Sequence, residues 1–211
     1  MPGFGCSFDP ANDPPSITWY ADLYYAAFSN MPEFGLGCHV LGHHSGGVIG
    51  TELAAKYQGF CRSLTSVGPT VMSVNDRQEL SKTFLDPFNK PVPSGEHLIK
   101  TWEYLRWEGI PEKNMELMQR EALDHIRAWK GRNQIYTCVW SYDCEKSMRL
   151  IEKGCKIMGL CAKDDVLWPY FENFKSVGRV VEAKEIEGGN FGPDLDSEGI
   201  LKAFVPFIES V

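Results

Sequence analysis

The densest cluster of reactive side chains in the chain is His43-His44-Ser45, held between Gly42 on one side and Gly46-Gly47 on the other. Imidazole is the one side chain whose ordinary pKa, near 6.5, lets it move protons at neutral pH. A serine hydroxyl becomes a nucleophile only when a base sits within hydrogen-bond reach. Two chemistries are therefore open: His44 as a base in its own right, or Ser45 as a nucleophile served by an imidazole. The remaining histidines stand singly. His39 reads as a packed ring on a strand, and His97 and His125 as side chains on helix surfaces. No H-E-x-x-H spacing occurs, and adjacent His43 and His44 do not readily face one ion; no phosphate loop or dinucleotide Gly-x-Gly-x-x-Gly turn opens a helix. No metal and no cofactor is expected.

The elements around this cluster explain why it should be exposed. Cys38 to Leu41 is an apolar run too short for a helix, whereas from Val48 onward the spacing is helical, with Val48, Ile49, Leu53 and Ala54 on one face and Thr51 and Glu52 turned away. A buried strand, a tight glycine-bracketed turn and a helix packed back on the sheet follow. The residue at the bend then stands at the carboxyl end of a strand, where open α/β sheets place their chemistry.

Gly42-His43-His44-Ser45-Gly46 resembles the nucleophile elbow, G-x-S-x-G, of the α/β-hydrolase superfamily. Aligned without gaps, His44 takes the nucleophile position; shifted by one, Ser45 takes it, but His43 then occupies a place that wants a small residue. The resemblance continues in Ala162-Lys163-Asp164-Asp165 with Pro169, similar to the family's acid loop, which implies Asp165 as the catalytic acid. It continues again in Gly188-Gly189-Asn190-Phe191, where the family carries its catalytic histidine and this chain has Asn190. An amide has no basic nitrogen at neutral pH, so the ordinary Ser-His-Asp relay is disfavoured. Gly3-Phe4-Gly5-Cys6-Ser7 matches the family's Gly-Phe-Gly-x-Ser segment after its fourth strand. The resemblance thus implies an α/β fold of parallel strands flanked by helices, with an inserted helical lid, and with the N-terminal strands and an oxyanion-hole loop missing.

Along the chain, residues 1–13 read as loop. Ser16 is the expected N-cap of a helix over Ile17 to Met31 with Trp19, Leu23, Ala26 and Ala27 inward, and Arg62 to Val67 the next parallel strand. The organisation expected is a first core part over 1–73, a helical lid over 74–153 and a second core part over 154–211. Within the lid, helices start near Glu96 and at Pro111, the latter with Met115, Met118, Ala122 and Ile126 on one side. Trp102, Tyr104, Trp107, Trp129, Tyr136, Trp140 and Tyr142 make it unusually aromatic; most are expected to pack, some to line an apolar pocket. Lys156 to Cys161 and Arg179 to Ala183 are the last strands, and Glu198 to Ile208 the closing helix.

At 211 residues with 43% hydrophobic content the chain suffices for one globular domain, and its net charge of −7 without a basic cluster argues against nucleic acid. No apolar run is long enough to insert in a membrane. Seven cysteines without a C-x-x-C pair read as reduced thiols in a cytoplasmic protein. A strand edge left bare by missing neighbours would need covering, by a second copy in a homo-oligomer for example.

Three readings stay open. In the first, His44 is a base, oriented by Asp165 or Asn190, for proton-transfer chemistry on a small apolar carbonyl-containing metabolite, in the setting of specialised biosynthesis. In the second, Ser45 is a nucleophile with His43, His44, His97 or His125 as base. In the third, the fold binds a small ligand or a partner chain without catalysis.

Overall fold

The computed structural model describes residues 1–211. Helix α1 (Ile17–Phe28) leads through a short 3-10 turn into strand β1 (Cys38–His43), helix α2 (Ser45–Lys56) and strand β2 (Cys61–Val67). Five helices follow: α3 (Val74–Phe84), α4 (Glu96–Trp107), α5 (Met115–Arg127), α6 (Trp129–Ser141) and α7 (Cys144–Leu150). The chain then returns to the sheet as β3 (Lys156–Ala162), α8 (Phe171–Ser176), β4 (Val180–Ile186), the single-turn α9 (Gly192–Leu195) and α10 (Ser197–Glu209). No helix is long and apolar enough to cross a membrane, and all seven cysteines are free.

The four strands form one parallel sheet in the order β1-β2-β3-β4. A parallel sheet covered on both faces carries apolar residues in both phases of its strands, and β3 does so. Ile157 and Cys161 join Leu53, Leu64, Met148 and Phe174 on one face. Met158, Leu160 and Ala162 join Val67, Ile200 and Phe207 on the other. One face is thus covered by α1, α2, α7 and α8 and the other by α10. A third cluster ties α6 to α1 and α2 through Ile135, Val139, Ile17, Tyr20, Val48 and Ile49. Of the helices between β2 and β3, α6 and α7 are therefore built into the sheet layer, and α4 and α5 pair over their own small core of Leu105, Ile110, Leu117 and Met118.

Several local expectations shift. Helix α1 stops at Phe28, and it buries Ile17, Tyr20 and Ala21 while Ala26 and Ala27 lie exposed. Contact with both α2 and α6 sets this phase, and Leu23 and Trp19 take half-buried flanks. Thr51 is buried, because α6 and α7 cover the helix side away from the sheet; its hydroxyl donates to the Gly47 carbonyl at 2.9 Å. Glu52 accepts from Thr18 at 2.6 Å and Tyr142 at 2.7 Å, joining three segments. Helix α5 begins at Met115, four residues after Pro111, because the Asn114 side chain caps it by accepting from Leu117 N at 3.2 Å; Met115 is exposed. Strand β4 runs three residues further than expected, to Ile186.

The two edges of the sheet differ. Strand β4 carries Glu182, Lys184 and Glu185, in ion pairs with one another or with Lys163. Strand β1 pairs only with β2, and its Cys-His-Val-Leu-Gly-His sequence has no carboxylate, lysine or arginine.

Candidate active site

The carboxyl ends of the four strands bring together the residues that could react: His44 after β1, Gly68 after β2, Asp165 after β3 and Asn190 after β4. Their convergence follows from parallel pairing, since each strand of such a sheet delivers its following loop to the same edge.

His44 occupies the tip of the bend, with φ 46° and ψ −112°, the one non-glycine residue with positive φ. For a residue with a Cβ such a conformation costs on the order of 1–3 kcal/mol and persists only where its surroundings enforce it. Two glycines do so. A Cβ on Gly42 would run into the backbone of Gly46 and Gly47, so strand and helix can close on each other only there without a side chain. A Cβ on Gly68, itself at φ +61°, would strike the His44 ring, so this glycine makes the space the imidazole fills.

The ring is tethered by a 2.8 Å contact between His44 Nε2 and Asp165 Oδ2. The Asp165 side chain is 1% exposed, and its other oxygen accepts from Leu167 N at 2.7 Å. An ionised carboxylate only accepts, so Nε2 carries the proton and Nδ1 is the ring's basic nitrogen. Asn190 turns elsewhere. Its Oδ1 accepts from Val166 N at 3.0 Å, which fixes the amide, and its Nδ2 donates to the Glu108 carbonyl at 2.9 Å and to Glu108 Oε2 at 2.7 Å. The acid of the loop is thus paired directly with the imidazole at the elbow, and the residue after β4 joins that loop to the end of α4.

Glu108, which sequence reasoning passed over, is the C-cap of α4. Burial raises its carboxyl pKa above the ordinary value, against the opposing pull of the Tyr104 hydroxyl and of His44 and Arg132. Arg132 is buried, donates to the Phe84 carbonyl at 2.8 Å, and lies 4.7 Å from the ring centres of Phe88 and Tyr136. The only advance sign of Glu108 was a carboxylate placed between the aromatic run ending at Trp107 and the helix-stopping Gly109-Ile110-Pro111.

His44 and Glu108 line a cavity of about 820 Å³ that also meets Tyr104, Tyr136, Phe4 and the free side of β1. Both also line a small annex of about 40 Å³ with Trp140, Val139 and Leu167. The aromatic insert residues divide accordingly. Tyr104, Tyr136 and Trp140 face these spaces, Tyr142 is spent on Glu52, and Trp107 is exposed.

Ser45 lines both spaces as the first residue of α2, but no imidazole serves it. His39 Nδ1 meets Ser63 Oγ at 2.8 Å, His97 Nδ1 accepts from Val92 N at 3.3 Å, and His125 Nδ1 lies 3.0 Å from the Glu121 carbonyl. His125, expected on the surface, instead lines the large cavity, and burial lowers its pKa. His43 stacks on His44, ring centres 4.0 Å apart and planes at 29°. Burial, then the neighbouring His44, hold its pKa well below the ordinary value. Donor atoms of His43, His44 and Asp165 lie within 4.8 Å of one another. Stacked rings, however, keep their in-plane lone pairs in two separate, offset planes, which is a poor arrangement for both imidazoles to ligate one ion.

No family model and no curated protein matches the chain. Solved structures do. An enol-lactonase from Burkholderia xenovorans superposes with a TM-score of 0.77 at 13% identity, over 99% of this chain and 78% of that one. An E-2-(acetamidomethylene)succinate hydrolase gives 0.74 at 16%, over 99% and 79%. A thermophilic esterase from Thermogutta terrifontis gives 0.74 at 13%, over 100% and 78%. The chain has the α/β-hydrolase fold, and its structural neighbours are hydrolases.

Proposed function

We propose that the chain is an α/β-hydrolase-fold enzyme in which His44 acts as a base, transferring protons on a small, largely apolar, carbonyl-containing metabolite. The observation that carries this reading is the 2.8 Å pair between Asp165 and an imidazole at the strained elbow, in place of a hydroxyl. Asp165 is the positioning residue: it fixes the tautomer and stabilises the imidazolium that forms when Nδ1 accepts a proton. With Asn190 unable to act as base and Ser45 without an imidazole, ordinary ester hydrolysis is a poor fit.

The apolar walls of the large cavity support the substrate class, and helices α4 and α5 then serve as the lid that excludes water from it. Solved neighbours that include an enol-lactonase and an esterase accord with a carbonyl-bearing substrate. A cytoplasmic setting and a place in specialised biosynthesis belong to this proposal as well.

The test compares two alanine variants on the deuterium exchange of 2-tetralone, an apolar ketone with acidic α-protons, followed by NMR in deuterated buffer. His44→Ala should remove the enzyme's contribution, and Ser45→Ala should keep most of it. The reverse pattern moves the chemistry to Ser45. Turnover of p-nitrophenyl esters is expected near background; brisk, saturable hydrolysis would refute the base reading. Retention of a small ligand without any conversion would favour a binding protein.

A further inference from the structure

Among the acidic side chains near His44, Glu108 is built to hold a proton. It ends α4, where the helix dipole is negative and disfavours an anion. Its Oε2 is held by Asn190, whereas Oε1 is buried and no donor meets it in hydrogen-bond geometry, the nearby Tyr104 hydroxyl included. A buried carboxylate oxygen left without a donor is costly, and a neutral carboxyl relieves that cost. The groups that face it are His44 from the elbow, Asp165 from the loop after β3, Tyr104 from its own helix and Arg132 from α6. It shares both the large cavity and the annex with His44, so one small molecule in that space meets both.

We propose that Glu108 is a second catalytic residue, the acid that gives its proton to the substrate's carbonyl oxygen as His44 takes one from the neighbouring carbon. This rests on the reading of His44 as base. In the step, the C–H bond breaks and its proton goes to His44 Nδ1. The electron pair left behind forms the C=C bond of an enol. The carbonyl π pair moves onto oxygen, which forms an O–H bond with the Glu108 proton. His44 ends as an imidazolium against Asp165 and Glu108 as a carboxylate held by Asn190. Return of the two protons, to the same carbon or another, restores both groups. A base and a protonated acid beside one cavity are what enol chemistry needs. Asn190 is then a positioning residue: with Oδ1 fixed by Val166 N, its amide can only donate to Glu108.

Infrared difference spectra and the tetralone exchange test this together. Wild type minus Glu108→Gln should show the carbonyl stretch of a protonated carboxyl, persisting to higher pH than exposed glutamates allow. Exchange of 2-tetralone should fall about 10²-fold or more in Glu108→Gln. In wild type it should decline with rising pH as the infrared band titrates away, a limb that Glu108→Gln lacks. Unfolding curves confirm that each variant is folded. Absence of the band overturns the proposal. A band with exchange unchanged in Glu108→Gln also overturns it, and leaves His44 as base. Wild-type exchange no faster than buffer, or unaffected by His44→Ala, removes the base reading and the acid role with it.

Discussion

Replacing Asp165 by asparagine changes one atom and should reverse the imidazole. Leu167 N–H, 2.7 Å from Asp165 Oδ1, can only donate, so the new side chain must keep its oxygen there and present its NH₂ to His44. That amide donates to Nε2, at present 2.8 Å from the carboxylate, and Nε2 must give up its proton to accept. The proton moves to Nδ1, and the nitrogen assigned as base in the proposed reaction is no longer basic. The loss should lie on the order of 10³–10⁴-fold in proton-transfer rate, about 4–5 kcal/mol at the transition state. Stability should fall far less. Two charge-assisted bonds become neutral ones, each weaker by about 1 kcal/mol, and the buried charge disappears. Nitrogen NMR of labelled histidine, with the His44 signals assigned by their absence in His44→Ala, reads the tautomer without any substrate. An asparagine variant that keeps its proton on Nε2, or that exchanges 2-tetralone at the wild-type rate, would refute the orientation argument.

Gly68→Ala places a methyl group where the His44 ring lies and forces a side chain into positive φ, at about 1–2 kcal/mol for the backbone alone. Its unfolding midpoint should drop and proton transfer should fall with it; unchanged activity would mean the ring has room to spare. Burial keeps the folded-state pKa of His43 below its ordinary value near 6.5, so the unfolded chain binds the extra proton first. Its contribution is complete above pH 6.5 and is lost as pH falls, at up to about 1.4 kcal/mol per pH unit. His43→Gln should flatten that acid limb in denaturant titrations, and an unaltered slope would contradict the assignment. The uncharged outer edge of β1 should support concentration-dependent self-association, and Leu41→Lys should suppress it. Light scattering that finds the same monomer with and without the lysine would remove this edge as an association site.

The elbow was legible because three glycines, an apolar run and a helical run agree on one geometry. Asp165 was legible from its spacing to Pro169, not from the Asp-Asp pair. The direct His44–Asp165 contact was one of two orientations left open, because sequence cannot say whether the amide at 190 turns toward the imidazole or away. It turns away because Val166 N–H and Glu108, 82 residues apart from Asn190 in the chain, engage both its ends. Glu108 itself escaped notice because its role depends on burial beneath α6, which a helix end does not announce. Gly68 directly follows the strand expected over Arg62 to Val67, and only the ring beside it explains why it lacks a side chain. The phase of α1 was misjudged for the same kind of reason: the helix packs on two neighbours, and Tyr20, polar at one end, goes further inside than Ala26 and Ala27.

The amide of Asn190 has a mechanical consequence. Its two ends grip different segments, the turn after β3 and the tail of α4, and so tie the two together. If α4 moves as the proposed lid, the two Asn190 bonds to Glu108 must break first. Asn190→Ala removes both grips, and amide exchange in α4 and in the turn after β3 should quicken together.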